Sequence, residues 1–281
     1  MTVRIDDAAD ARLAPYRLVG DPHALGRAAL FAVEGRLLVP RLLASSYRVH
    51  SLLLSEAALE GLRPVLETRP DIDVMVAPVE VISVVGGFDF HRGCLALGHR
   101  GNARTLAGLL DTAPGIQGPL VVLEGVSNPD NIGGIFRSAH AFGARGIVLG
   151  PGCADPLYRK AIRTSMGTAL EVPWTESAEW PAGVRTIRSR GHRVVALTTD
   201  ADAPPLAEAL AHAGSDVALL FGSEGYGLTP DALAAADTRA RIPMPNAAAD
   251  SLNVAAAASI ALYEWTSNGP RYVRESFRVE R

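Results

Sequence analysis

Lysine is almost absent from this chain. Lys160 is the only one in 281 residues, so the fixed positive charges are arginines. With so much alanine beside them, the bias follows the codons of a GC-rich genome; arginine also offers a bidentate fork to phosphate. The formal net charge is −3. A global basic surplus, the usual mark of a nucleic-acid binder, is therefore missing, and any such surface has to be local. Cysteine is scarce as well. Cys94 and Cys153 alone cannot make a disulfide framework, which implies a reduced, cytoplasmic setting. Neither has a partner at metal-ligand spacing, so no metal site is expected and both read as small apolar fillers. No apolar run reaches twenty residues, which excludes a transmembrane helix. The opening Met-Thr-Val-Arg-Ile-Asp-Asp lacks the apolar core of a signal peptide. Neither a P-loop nor a G-x-S-x-G elbow is present, which removes the common nucleotide-hydrolase and serine-hydrolase readings.

What is present is ample core material, 48% hydrophobic residues over a length that suits two domains. Residues 1–20 are polar and poorly patterned and read as a loose arm. Residues 21–100 alternate strands with helices and predict a small α/β unit. Residues 101–117, with Gly101, Pro114 and Gly115 around a short helix, read as a linker. From 118 to 270 the pattern is strand, helix, strand, repeated. The strands end near Glu124, Leu149, Pro173, Leu197, Phe221 and Ile242, and a last helix runs from about Asp250 to Thr266. This predicts a mostly parallel sheet covered by helices. Residues 271–281 form a tail.

Three stretches carry chemistry. The first, Asn128-Pro-Asp-Asn131-Ile-Gly-Gly-Ile-Phe-Arg137, leaves one apolar strand and enters a helix; Asp130 and Asn131 are expected to cap it. Gly133 and Gly134 clear room for a close approach to the backbone. The second, Phe221-Gly-Ser-Glu-Gly-Tyr-Gly-Leu, follows the strand Asp216–Leu220. Its glycines are spaced three and two apart, unlike a dinucleotide-binding G-x-G-x-x-G. The third runs from Ile242-Pro-Met through a short loop into Ser251-Leu-Asn-Val, where Ser251 is placed to cap the final helix. His91 and His140 read as structural.

Taken together, the three stretches resemble the signature motifs of the SpoU/TrmH family of RNA ribose 2′-O-methyltransferases, within the SPOUT superfamily. The resemblance spans roughly residues 118–267, with Arg163-Thr-Ser-Met-Gly as an intermediate match. It implies an α/β chain whose C-terminal SPOUT methyltransferase domain holds a deep trefoil knot and forms a homodimer. It implies S-adenosyl-L-methionine as cofactor and RNA as partner, rRNA in preference to tRNA. Asn131, Arg137, Glu224, Ser251 and Asn253 match the catalytic set. Leu197, Thr198, Gly222, Ile242, Met244 and Leu252 match the cofactor pocket, Ile242 and Met244 through backbone groups. Arg137 either activates the 2′-hydroxyl as a base or orients the substrate; a guanidinium holds its proton too firmly to serve readily as a base, which favours orientation and charge stabilisation.

The phrase Phe31-Ala-Val-Glu-Gly-Arg36 is similar to the start of an L30e-like RNA substrate-binding domain found before some family members. A generic α/β accessory domain is the other reading. RNA contacts are expected at Arg36, Arg92 and Arg163. One departure is the loop Met244-Pro245-Asn246-Ala-Ala-Ala-Asp250, a residue longer than the family pattern, with Pro245 fixing φ and donating no N–H. The rival from another class is a non-catalytic RNA-binding protein of the same fold; retention of all five catalytic-set residues argues against it.

Overall fold

Residues 2–87, 93–111, 118–246 and 251–268 are described by a computed structural model. The chain divides into two units, Met1–Ala103 with Asp155–Glu171, and Arg104–Ala154 with Val172–Arg281.

The first unit begins with β1 (Thr2–Arg4), a 3-10 helix (Ala11–Gly20), α1 (Pro22–Arg27) and β2 (Leu30–Glu34). α2 (Val39–Ala44), β3 (Val49–Leu54), α3 (Glu56–Leu66), β4 (Asp73–Val76), α4 (Val79–Gly86) and β5 (Cys94–His99) follow. Its five-stranded sheet has the order β1-β4-β3-β5-β2. β1, β4 and β3 run parallel, while β5 is antiparallel to both β3 and β2.

The loose arm expected over residues 1–20 is instead part of this unit. β1 pairs with β4, and Ile5 N donates to Val76 O at 2.9 Å. Leu13, Tyr16 and Val19 are buried. They recur every three residues, the period of a 3-10 helix, which neither an α-helical nor a strand template detects. The Tyr16 hydroxyl shares a 2.8 Å hydrogen bond with Ser51 Oγ, and burial pushes its pKa well above the usual phenol value.

The second unit opens with α5 (Leu106–Leu110), β6 (Leu120–Leu123), α6 (Pro129–Ala141) and β7 (Gly146–Leu149). The intervening segment Asp155–Glu171, holding α7 (Arg159–Thr164), belongs to the first unit. There α7 packs on β2, with ion pairs Arg159–Glu34 and Arg100–Asp155. The second unit resumes with β8 (Trp174–Glu176), α8 (Ala182–Ser189), β9 (Arg193–Leu197), α9 (Leu206–Ala211), β10 (Val217–Phe221), α10 (Pro230–Ala235), β11 (Thr238–Ala240) and α11 (Val254–Asn268).

Its six strands, in the order β11-β9-β10-β6-β7-β8, are all parallel. Every residue of β6, β7 and β10 is buried. That is why they read as unbroken apolar runs. Two boundaries differ from the sequence pattern. The strand expected to end at Pro173 starts after it, because proline has no N–H for the ladder; its carbonyl still accepts from Ile147 N at 2.9 Å. The last strand ends at Ala240, before Ile242. Among the described residues no helix is long and apolar enough to cross a membrane.

His192 is buried at the entrance to β9, and its Nδ1 has no hydrogen-bond partner. Burial, with the Arg145 charge, holds its pKa below the usual histidine value against an opposing pull from Asp216. The unfolded chain then binds the proton more readily, so stability is full above about pH 6.5 and is lost as pH falls towards the folded-state pKa. Melting temperatures measured between pH 8 and 5 should fall at the acid end, with a shallower slope in His192→Leu. Equal slopes would assign the effect to other groups.

Candidate active site

The first motif forms a helix because Pro129 occupies its first turn and Asn128 caps it, accepting from Asp130 N at 2.9 Å. Asn128, not Asp130 or Asn131, is the cap. Ile132, Ile135, Phe136 and Ala139 form the buried stripe of α6. Gly134 lets α11 approach closely: a Cβ there would lie 3.0 Å from the Ala255 Cβ. One turn on, Ser138 and Ser259 share a 2.7 Å hydrogen bond between the same two helices.

This close packing brings the third motif to the first. Asn253 Oδ1 accepts from Ala255 N and Ala256 N, at 3.0 and 3.2 Å. Asn253, not Ser251, therefore caps α11. Its Nδ2 donates both to Asn131 Oδ1 at 2.9 Å and to Glu224 Oε1 at 2.6 Å. One amide thus ties the three motifs into a network. Glu224 Oε1 takes the Asn253 amide and, at 3.4 Å, the Val254 backbone N–H, and not Arg137. Asn131 does not reach Arg137 either. Six residues at 100° each place the two about 120° apart around the helix. Asn131 is buried towards α11 and Arg137 is exposed, with no ion pair among the described residues.

The second motif is a turn closed on itself. Ser223 N donates to Gly227 O at 3.1 Å and Gly227 N returns to Ser223 O at 3.0 Å. A Cβ at Gly222 would overlap the backbone of Gly227 and Leu228. Glycine is needed there for the turn's own closure.

At the carboxyl ends of β9, β10 and β11 lies a cavity of about 740 Å³. This is where open parallel sheets place ligands, beside the β10/β6 pair from which the chain winds both ways. Leu197, Thr198, Gly222, Ile242, Met244 and Leu252 all line it, as do Glu224 and Ser251. Asn131, Arg137 and Asn253 stand outside its lining. Pro245 and Asn246 are exposed; residues 247–250 of that loop lie outside the described residues. Arg241, at the wall, is held by a 3.0 Å bond from its Nε to Ala203 O.

Sequence reasoning did not assign Glu124. It is buried at the end of β6 and accepts from Trp180 Nε1 at 2.6 Å and from Thr229 N and Oγ1, each at 2.8 Å. It pins the exit of the glycine turn to the first motif's strand. An acidic residue ending an otherwise apolar run was the signal. Arg36 and Arg163 are both exposed on the first unit, whereas Arg92 and the tail 271–281 lie outside the described residues. Among the described residues no group of three His, Cys, Asp or Glu side chains could hold a metal ion.

Residues 118–263 match the SpoU rRNA Methylase family. The chain belongs to that family. Over 272 residues it is 39% identical to an uncharacterized tRNA/rRNA methyltransferase of Mycobacterium bovis, covering 95% of this chain and 89% of that protein. It is 29% identical over 196 residues to the 23S rRNA (guanosine-2′-O-)-methyltransferase RlmB of Ralstonia nicotianae, 69% of this chain and 76% of that one. The structure is similar to an AdoMet-bound rRNA methyltransferase from Sinorhizobium meliloti, with TM-score 0.79 and 25% identity over 94% of this chain and 97% of that one. The SpoU match begins just before β6 and ends within α11, so it takes in all three bonded motifs.

Proposed function

We propose that this chain methylates a ribose 2′-hydroxyl in structured RNA, rRNA in preference to tRNA, using S-adenosylmethionine. The observation that carries this is the Asn253 amide joining Asn131 and Glu224 beside a cavity at the strand ends. The 2′-oxygen chemistry and the rRNA target are in line with the name of the Ralstonia relative, and the cofactor with the Sinorhizobium structure.

The lining fits that cofactor. Leu197, Ile242 and Leu252 offer apolar faces to an adenine, the 222–228 turn offers backbone groups, and the Glu224 carboxylate suits a sulfonium charge. S-adenosylmethionine supplies a methyl group already activated by that charge. The protein's task is positioning: the 2′-oxygen has to be held about 3 Å from the methyl carbon and in line with it. Arg137, without an ion pair among the described residues, is available to grip the adjacent phosphate. Arg36 and Arg163, both exposed on the first unit, offer further contacts to RNA, and the protein acts as a cytoplasmic homodimer.

Calorimetry with S-adenosylmethionine, and mapping of ribose methylation in rRNA and tRNA with and without the gene, test this reading. Binding without any gene-dependent 2′-O-methylation would defeat it. Gly222→Ala should weaken cofactor binding at least about tenfold, a loss of about 1.4 kcal/mol, because the turn must open to admit the methyl. Unchanged affinity would remove the turn from the pocket.

A further inference from the structure

Tyr226 is 97% exposed at the tip of the glycine turn, and its residue lines the cavity. The other tyrosines among the described residues are less exposed. Tyr16 is buried, Tyr47 packs on Phe31, Tyr158 is half-buried, and Tyr263 meets Phe142 edge-on. The Tyr226 backbone is nevertheless well held. The Ser223–Gly227 bonds close the turn, and Gly225 and Gly227, at φ +96° and +70°, set its path. Asn253 anchors Glu224 two residues earlier. A rigid stem therefore carries an aromatic face into water at the mouth of the site.

We infer that Tyr226 is a substrate-positioning residue on which a nucleobase of the RNA, at or next to the methylated nucleotide, stacks. The inference rests on the proposed RNA methyl transfer at this cavity. Single-stranded and splayed-out nucleotides are gripped by stacking on aromatic side chains. Stacking needs no positive charge, which suits a chain with net charge −3. It also leaves the sugar edge of the nucleotide free to face the cavity.

Tyr226→Leu, Tyr226→Phe and wild type should be compared as full-length proteins. Methyl transfer from labelled S-adenosylmethionine would be measured on total RNA from cells lacking the gene, alongside calorimetry and light scattering. Loss of a base stack, as read by alanine substitution, is worth at least about fivefold in affinity, and leucine has no π-face to replace it. We therefore expect the leucine variant to raise KM for RNA by that factor or more. Its kcat at saturation should stay near wild type, its cofactor affinity should be unchanged, and phenylalanine should restore KM. A leucine variant with wild-type KM would overturn the inference. So would a parallel loss of cofactor affinity, which would make the ring a cover for the cofactor. A shift in oligomeric state would assign it to a subunit contact, and failure of phenylalanine would transfer the effect to the hydroxyl. If wild type methylates no RNA, the reading of the whole site fails, and this inference with it; normal wild-type transfer with an indifferent leucine variant defeats the stacking role alone.

Discussion

Arg137→Ala should abolish methyl transfer while leaving S-adenosylmethionine affinity close to wild type. The side chain stands on the exposed face of α6, makes no ion pair among the described residues and is not in the cavity lining. An arginine so placed has little to contribute to stability, so its removal should not lower the melting temperature by more than a surface substitution does, within about 0.5 kcal/mol. What it offers is a planar fork for a phosphate next to the reacting ribose. Losing a preorganised charge-stabilising group typically costs about a hundredfold or more in kcat. Arg137→Lys should fail nearly as badly, because a point charge does not reproduce two parallel N–H donors. Transfer within about threefold of wild type in either variant would sink the assignment. A fall in cofactor affinity matching the fall in rate would relocate the side chain's role to the pocket.

Much of the second unit was legible because its strands are buried on both faces. Leu120–Leu123, Gly146–Leu149 and Val217–Phe221 advertise themselves as apolar runs whatever their neighbours are. The six residues assigned to the cofactor pocket come from three strand ends or just beyond them and from the lead-in to α11, yet all line one cavity. Chain order and parallel topology together bring them there. What stayed hidden depends on who bonds whom. The sequence pattern points to Asp130 or Asn131 as the α6 cap, and backbone geometry puts it on Asn128. At α11 the expected cap is Ser251, and the side chain that accepts from the first free N–H groups is Asn253. The amide of Asn253 satisfies two motifs at once, an arrangement that no local pattern encodes. The three-residue spacing of Leu13, Tyr16 and Val19 escaped because the templates applied were 3.6 and 2.

The segment Asp155–Glu171 shows a further limit. Its sequence sits between motifs of the second unit, and its Arg163-Thr-Ser-Met-Gly stretch matches the family pattern. In the fold it completes the first unit, with Ala161 and Ile162 buried and Arg41 paired to Glu171 at 3.1 Å. A deletion of residues 1–112 would therefore strip the cover from α7 as well as removing a domain. A fairer probe of RNA binding by the first unit is the double variant Arg36→Ala/Arg163→Ala, since both side chains are exposed. Each phosphate of single-stranded RNA that the variant no longer neutralises should flatten the dependence of log affinity on log salt by about 0.7.

Asn253→Asp separates the two jobs that this side chain performs. A carboxylate still accepts from Ala255 N and Ala256 N, and a negative charge at a helix N-terminus is favourable by about 0.3–1 kcal/mol. The cap therefore survives. The other half of the side chain changes from a donor to an acceptor, facing Glu224 Oε1 at 2.6 Å and Asn131 Oδ1 at 2.9 Å in the wild type. Two carboxylates that close cannot both stay ionised without cost; either the pair takes up a proton or the glycine turn moves away. We expect a melting temperature between those of wild type and Asn253→Ala, because the cap is retained while the bridge to Glu224 is lost, and at neutral pH a fall in transfer of about a hundredfold. The direction with pH is fixed by the chemistry. A shared proton restores a donor between the two acids, so activity relative to wild type should rise as pH falls. Asn253→Ala, which removes the cap and the bridge together, should instead lose both stability and activity, with no recovery in acid. An aspartate variant that works like wild type at neutral pH would show that the link between Asn131 and Glu224 holds nothing the reaction needs.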